Sequence, residues 1–440
     1  MKFMTTVIRH IIMLGAVLVS SLAVGPMVQA QMSKGTFETV VLENATIVTV
    51  TQGTIQGDLL IQDGKIAAIG EVDAPEGTNR IDCTGKFIYP GMIDGGTRIG
   101  LAEIGAVNVT QDYREIGDIT PHVQALTAVN PNSVIIPVTR TNGVTTALSV
   151  PGGGLFTGTA ALVNLHGYTP NQMYAGFKAV VLNFPSSAKR GRWDRRSEED
   201  IQKDLKKKLK TLNEVWDGAI RYAAIDSAYQ AGGGEKPAYY PQMEALVPAV
   251  KGDAKLLIEV NAASDILAAI DWVQSRKVDA VFTGVGEGWR VAEELAEAQI
   301  PVVTGPILET PSRESDRFDR PYANAGLMHK AGVKVAIRTN EAENVRNLPF
   351  NAGFAAAYGM GKEEALKAVT IVPAEIFGLA EELGSIEVGK WANLFVSDGD
   401  PFEPKTQITQ LFIKGWNIPI DSRHIRLYEE FLERDPGIAR

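Results

Sequence analysis

The chain has 440 residues, of which 45% are hydrophobic and 22% are charged. This is a globular composition, long enough for a large core and for more than one domain. The formal net charge of -9 argues against a nucleic-acid partner, which would favour a basic surface, and the single cysteine, Cys83, excludes an internal disulfide.

Residues 1–30 have the pattern of a signal peptide. Lys2 and Arg9 give a positive start, residues 11–25 are apolar, and Val28-Gln29-Ala30 fits a small-residue cleavage site. The alternative is an uncleaved anchor, but the apolar run is shorter than the ~20 residues that a bilayer span needs. We therefore predict cleavage near Ala30, export to the periplasm or beyond, and no membrane attachment afterwards.

The two ends of the mature chain share a period of two. Short β-branched runs separated by Gly turns occupy 36–92, and similar runs return in 382–421. Because each segment would leave open strand edges, we expect the two to complete one another as a composite β-sandwich. Residues 422–440 are expected to form a terminal helix and tail.

Strands and helices alternate between these ends. From residue 255 onward, apolar strands at 255–260, 280–283, 300–304 and 334–338 are each followed by an amphipathic helix. Near-continuous apolar strands with helical crossovers are typical of a parallel sheet, and the earlier units bring the count to about eight. The predicted fold class is α/β, with a (β/α)8 TIM-type barrel over 93–381.

Residues 185–235 are predicted to be an insertion in this barrel. A basic cluster spans 189–196, and Ser197 then starts a helix with a capping-box pattern. The apolar stripe of that helix consists of Ile201, Leu205, Leu209, Leu212 and Trp216. Its other side is rich in lysine and is predicted to be a solvated face.

Three phrases carry a resemblance to a known family. They are GKFIYPGMID at 85–94, ALKAVTIVPAEIFG at 365–378 and GSIEVGKWANL at 384–394. With these phrases, residues 37–417 resemble the amidohydrolase superfamily, most closely its imidazolonepropionase-like secreted branch. The resemblance implies a barrel that hydrolyses cyclic amides and other non-peptide C–N bonds. In that family a divalent metal, usually zinc, is held by His side chains, sometimes a modified Lys, and a final Asp, and it activates a water molecule.

The metal-ligand positions that the resemblance implies are all substituted here: they fall on Gly96, Arg98, Asn261, Gly284 and Asn340. The five His residues, at 10, 122, 166, 329 and 424, show no H-x-H or H-x-x-x-H spacing. Arg98 adds a permanent positive charge, which repels a divalent ion. We therefore expect no metal cofactor.

A second set of residues is predicted to line a ligand pocket at the strand ends. Its members are Asp94, Arg98, Arg140, Asn261, Glu287, Arg338 and Asn340. Arginine and amide groups suit an anionic or amide ligand. The alternative is that each Arg pairs with a nearby acid, such as Asp94 or Glu341, and fills the vacated space.

Three functions remain open from the sequence. The first is an exported, metal-free pseudoenzyme that binds a ligand or assembles, as a homo- or hetero-oligomer, with an active homologue. The second is an active hydrolase with a non-standard site built from Lys178, Asp226, Glu259 and Glu287. The third is a small-anion binding protein that uses Arg98 and Arg338.

Overall fold

The computed structural model describes residues 34–189 and 194–434. The predicted signal peptide, part of the basic cluster and residues 435–440 lie outside the described residues, so what the sequence predicts there stays a prediction. Within the described ranges, no helix has both the length and the apolar composition required to cross a bilayer.

The described residues contain two sheets. Their strands, in chain order, are β1 (Thr36–Phe37), β2 (Val40–Val48), β3 (Thr54–Gln62), β4 (Lys65–Gly70), β5 (Asn79–Asp82), β6 (Phe87–Pro90), β7 (Met92–Thr97), β8 (Val144–Ser149), β9 (Phe156–Asn164), β10 (Tyr174–Asn183), β11 (Leu256–Val260), β12 (Ala280–Gly284), β13 (Val302–Thr304), β14 (Val335–Ile337), β15 (Leu394–Ser397), β16 (Ile408–Ile413) and β17 (Trp416–Asn417).

Most helices are short connections between these strands. They are α1 (Ala125–Ala128), α2 (Ile135–Arg140), α3 (Pro170–Met173), α4 (Glu198–Gln230), α5 (Pro241–Glu244), α6 (Val247–Lys251), α7 (Ala263–Arg276), α8 (Ala292–Glu297), α9 (Arg320–Lys330), α10 (Leu348–Ala355), α11 (Lys362–Lys367), α12 (Ile371–Ile376) and α13 (Arg423–Glu433). Single turns of 3-10 helix cover Asn108–Thr110, Gly288–Arg290 and Val345–Asn347, and a π-helical turn covers Ala356–Met360.

The first sheet joins both ends of the chain. Its order is β1-β17-β16-β15-β6-β2-β3-β4, with β5 paired to β2. The junction is the antiparallel pair β15–β6, in which Leu394 lies opposite Pro90. Ile47, Ile88 and Phe412 are buried in a core that belongs to this sheet alone. The prediction that the terminal segments complete one another is confirmed.

The second sheet is a nearly closed barrel of β7 to β14 in chain order. Backbone hydrogen bonds from Asn340 to Gly96 and from Arg98 to Glu341, both 2.9 Å, connect its last and first strands. Alternate strand residues such as Leu257 and Val281 fill the barrel interior, whereas their neighbours pack against the helices. Burial of both faces explains the near-continuous apolar strand sequences.

One strand breaks the parallel pattern expected of a (β/α)8 barrel. Strand β9 pairs antiparallel with both β8 and β10. Parallel neighbours require a crossover of a dozen or more residues, but residues 150–155 are the whole connection between β8 and β9. Gly153 and Gly154 take φ values of +93° and +52° there, a region that a residue without Cβ adopts most easily. The glycine-rich loop is therefore a tight turn.

Residues 185–235, predicted to be an insertion, contain a crossover of the barrel. Helix α4 lies between β10 and β11, which are parallel neighbours. Its N-cap is Ser197, whose side chain accepts the Asp200 N–H as the capping pattern predicted. Trp216 is buried against Trp272 of α7 in an edge-to-face contact at 5.3 Å. The helix is thus part of the layer that covers the barrel.

Candidate functional site

A polar cavity of about 870 Å³ opens at the carboxyl ends of the barrel strands. This is the end where barrels of this kind carry their binding and catalytic groups. Six of the residues predicted from the sequence line it: Glu259, Asn261, Gly284, Glu287, Arg338 and Asn340. Asp94, Arg98 and Arg140 do not belong to its lining.

An ion pair between Arg338 and Glu259 occupies the floor of the cavity. Ala336 of β14 and Leu257 of β11 face the barrel interior, so the residues two positions further along face it as well. The guanidinium of Arg338 donates two hydrogen bonds of 2.8 Å to the two carboxylate oxygens of Glu259. Arg338 is only 3% exposed and the Glu259 side chain 28%, so the guanidinium of this bidentate pair is the more shielded partner.

Further hydrogen bonds fix the pair. Thr283 donates to the Glu259 carboxylate at 2.7 Å and Asn261 at 3.1 Å, while Arg338 Nε donates to the Gly305 carbonyl at 3.2 Å. Burial raises the pKa of Glu259, but the Arg338 charge and these hydrogen bonds outweigh it, so the pKa is lowered below its ordinary value. Glu259 is therefore an ionised acceptor at neutral pH.

A side chain at either glycine of the substituted metal set would meet the ion pair, tightly at Gly96 and with a clash at Gly284. A Cβ at Gly96 would lie 3.1 Å from Cδ of Arg338. A Cβ at Gly284 would lie 2.5 Å from Asn261 Oδ1 and 2.6 Å from Glu259 Oε1, and Gly284 has φ +85°. The ion pair and its supporting amide thus fill the volume into which ligand side chains at 96 and 284 would project.

The donors that remain do not suit the divalent metal implied by the resemblance. Asn261 and Asn340 offer neutral amides, and the carboxylate of Glu259 already holds Arg338. No group of three His, Cys, Asp or Glu side chains converges within the two described ranges. Divalent sites of this kind need several anionic or imidazole donors and no adjacent cation.

Asp94 stabilises the seam of the barrel. It is fully buried and accepts hydrogen bonds from the Gly96 N–H at 3.0 Å and the Thr339 hydroxyl at 2.5 Å. Burial raises the pKa of Asp94 to about 6, although these hydrogen bonds oppose the rise. Asp94 therefore links β7 to the end of β14 and does not face the cavity.

Arg98 stands beside the cavity, at the end of β7. Its guanidinium lies over the Tyr113 ring, 4.3 Å from the centroid, and Arg114 lies 4.9 Å from the same centroid. Burial lowers the pKa of Arg98, and the charges of Arg114 and Arg338 lower it further, whereas Tyr113 and Glu259 raise it. Neither predicted acidic partner, Asp94 or Glu341, forms an ion pair with Arg98 within the described ranges.

Glu287 holds the loop that follows β13 over the cavity. Its two carboxylate oxygens each accept a 2.5 Å hydrogen bond from Arg313, and the Ala263 N–H and the Ser312 hydroxyl donate to them as well. Burial raises the pKa of Glu287, but these hydrogen bonds lower it by a larger amount. The pKa therefore lies below its ordinary value. Glu287 is buried, while Arg313 of the loop is half exposed. The buried carboxylate therefore holds the loop in place through Arg313.

Three residues named from the sequence lie away from this site. Arg140 precedes β8 and therefore lies at the opposite end of the strand, where its guanidinium donates to the Leu165 carbonyl at 3.2 Å. Its inclusion in the ligand set is corrected here, because only the carboxyl ends of the parallel strands meet at the cavity. Lys178 lies 5.3 Å from the Tyr174 ring, and Asp226 pairs with Lys251 at 3.6 Å.

Sequence reasoning missed three contributors. Thr283 follows Val281, which faces the barrel interior, by two positions on β12. The period of two could therefore have placed Thr283 inside the barrel as well. Arg313 and Tyr113 come from irregular loops, where no periodic pattern predicts which way a side chain points.

Comparisons with known proteins agree with this architecture. A model of the amidohydrolase family matches residues 289–418. The chain is 22% identical over 386 residues to amidohydrolase tasK of Hapsidospora irregularis, an alignment that covers 82% of this chain and 39% of that protein. It is 26% identical over 383 residues to an imidazolonepropionase of Shouchella clausii, covering 79% and 80% of the two chains.

The solved structure of an amidohydrolase from Thermotoga maritima MSB8 matches with a TM-score of 0.75 at 26% identity. That match covers 86% of this chain and 99% of the other. The chain therefore spans well under half of tasK but nearly the full length of the Thermotoga protein.

Proposed function

We propose that this chain, which belongs to the amidohydrolase superfamily, is a metal-free member that binds a small ligand in its barrel mouth and does not hydrolyse it with a metal-activated water. The observation that carries this proposal is the buried pair Arg338–Glu259, with both hydrogen bonds at 2.8 Å. A permanent cation occupies the floor of the site, beside the positions where the family resemblance implies metal ligands.

Electrostatics supports this reading. Two unit charges 4 Å apart interact by about 4 kcal/mol at an effective dielectric constant of about 20, so a divalent ion beside Arg338 would meet a repulsion of roughly twice that. The Glu259 carboxylate offsets part of this repulsion, but it would have to release Arg338 before it could coordinate the ion. Replacement of one metal ligand by water could be tolerated. Substitution of all five ligand positions, together with the added cation, disfavours a bound ion.

The composition of the cavity supports a binding role. Its lining includes amides, hydroxyls and the paired charges of Glu259 and Glu287, so a small polar molecule would find hydrogen-bond partners there. Assembly with an active homologue, as a hetero-oligomer, remains a prediction from the sequence.

One observation favours an alternative, an active hydrolase with a non-standard site. Glu259 and Glu287 face the same cavity, and two carboxylates can share general acid and base roles. Each carboxylate, however, already binds an arginine and has a lowered pKa, which disfavours proton donation near neutral pH. We rank this alternative second.

A turnover assay distinguishes the two. The purified full chain is incubated with cyclic amides and dipeptides, with and without added Zn²⁺. The proposal expects hydrolysis no faster than in a matched protein-free control under either condition. Hydrolysis that disappears in Glu287→Gln but persists in Glu364→Gln, an acid on the outer helix α11, would establish the alternative.

A further inference from the structure

We infer that Arg98 is the centre of an oxyanion-binding subsite at the barrel mouth, suited to a carboxylate or a phosphate group. The inference rests on the proposed function in one respect: the ligand would enter the same mouth. It adds that the ligand carries a negative charge and that Arg98 is the residue that binds this charge.

The first observation is a guanidinium without an acidic partner. Within residues 34–189 and 194–434, no carboxylate lies within ion-pair distance of Arg98, and its guanidinium stacks on the Tyr113 ring, 4.3 Å from the centroid. Stacking on an aromatic face fixes the plane of the guanidinium and leaves its edge N–H groups available. An arginine prepared in this way can bind a planar or tetrahedral oxyanion through two N–H groups.

The second observation is a cluster of positive charges around Arg98. Arg114 lies on the same ring at 4.9 Å, and both Arg114 and Arg338 act electrostatically on Arg98. The Glu259 carboxylate offsets part of this charge, but it forms its hydrogen bonds with Arg338 and not with Arg98. Like charges in a partly buried environment repel, and an anion bound at Arg98 would relieve that repulsion.

The third observation is an open approach. The glycine-rich loop after β8 passes beside Arg98: a Cβ at Gly152 would lie 3.6 Å from Nη2 of Arg98, in ordinary contact. Gly152, Gly153 and Gly154 carry no side chain that could cover the guanidinium, and Arg98 itself is partly exposed. A ligand can therefore reach Arg98 from solvent along the loop.

Glu341 is the acid that bears on this subsite. It follows β14, and its backbone carbonyl accepts the Arg98 N–H at 2.9 Å, but its side chain is not paired with the guanidinium. Burial, then the charges of Glu343 and Glu309, raise the pKa of Glu341, whereas Arg98 lowers it. Glu341 thus opposes anion binding at a distance, and its removal should strengthen binding.

Calorimetric titration of the full chain with inorganic phosphate and, separately, with succinate tests the inference at low ionic strength. We expect at least one probe to bind, and Arg98→Gln to weaken it about ten- to hundred-fold, the loss of one charge-assisted pair. Arg114→Gln should weaken it several-fold, and Glu341→Gln should strengthen it. Arg320→Gln is the matched control, because Arg320 also stacks on an aromatic ring, that of Trp289 at 4.6 Å.

The two probes separate the chemical sources: binding of phosphate alone assigns a phosphate subsite, and binding of succinate alone a carboxylate subsite. Absence of binding by both, or equal affinity in the wild type and a folded Arg98→Gln, would overturn the inference. If Arg98→Gln does not fold, Glu341→Gln decides, because unchanged or weaker binding contradicts it. Metal content, which tests the proposed function, is measured independently of these titrations.

Discussion

Arg338 and Glu259 face each other across the barrel interior from the ends of β14 and β11, joined by two hydrogen bonds of 2.8 Å. Two strands, β12 and β13, lie between theirs in the sheet. The pair therefore connects two strands that are not neighbours in the barrel and fixes the floor of the cavity. In metalloproteins a bound metal ion can perform this structural task.

Breaking this pair should be costly. Arg338→Met leaves the Glu259 carboxylate without its counterion, and Glu259→Gln leaves a buried guanidinium, so each should lower the free energy of unfolding by about 3 kcal/mol. The double variant should lose clearly less than the two single losses combined, because neither charge is stranded. Urea denaturation measures all three, and strictly additive losses would show that the two residues do not act as a pair.

The glycine at position 284 should be required for the same arrangement. Gly284→Ala places a Cβ 2.5 Å from Asn261 and 2.6 Å from Glu259, whereas Gly252→Ala, at a similar φ of +80°, has open space around it. We expect a cost of about 1 kcal/mol at Gly252 from backbone strain alone and a cost several kcal/mol larger at Gly284. Equal losses in thermal or urea unfolding would indicate that the Glu259 environment is not tightly packed.

Asp94 should make stability depend on pH. Its pKa is raised from 3.8 to about 6 in the folded protein, so the native state binds this proton more tightly than the unfolded chain. The stabilisation is complete below pH 3.8 and is lost as the pH rises through about 6. Relative to Asp94→Asn, the wild type should therefore gain up to about 3 kcal/mol between roughly pH 7 and pH 4. A constant difference between the two proteins over this range would contradict the assignment.

The loop over the cavity should loosen when its fastening is removed. Arg313→Gln removes both hydrogen bonds to Glu287, and since Arg313 is half exposed, the loss of global stability should be only about 1 kcal/mol. Amide hydrogen exchange in residues 307–316 should accelerate several-fold. Arg317→Gln is the control, because it removes an exposed pair with Asp319 in the same loop and should leave that exchange unchanged.

The sequence predicted much of the architecture because periodicity reports which faces are buried. The period of two identified the terminal segments, and the repeated apolar strands identified the barrel. The direction of β9 was missed because its burial pattern does not reveal orientation, although the six residues between β8 and β9 are too few for a crossover.

The site was only partly predictable. Arg338 and Glu259 were both named because they lie at strand ends, but their pairing depends on the radius of the barrel and the reach of two side chains, which periodicity does not contain. Arg140 was misplaced because it precedes its strand, and Arg313 was missed because it lies in an irregular loop.

The most direct test of the account is the metal content of the purified full chain. The wild type and Asn340→Ala are produced in zinc-supplemented medium, dialysed without a chelator, and analysed by mass spectrometry of the elements. We predict far less than one divalent ion per wild-type chain. A stoichiometric ion that survives dialysis and is lost in Asn340→Ala would contradict the claim that Arg338 and Glu259 stand in the place of a metal.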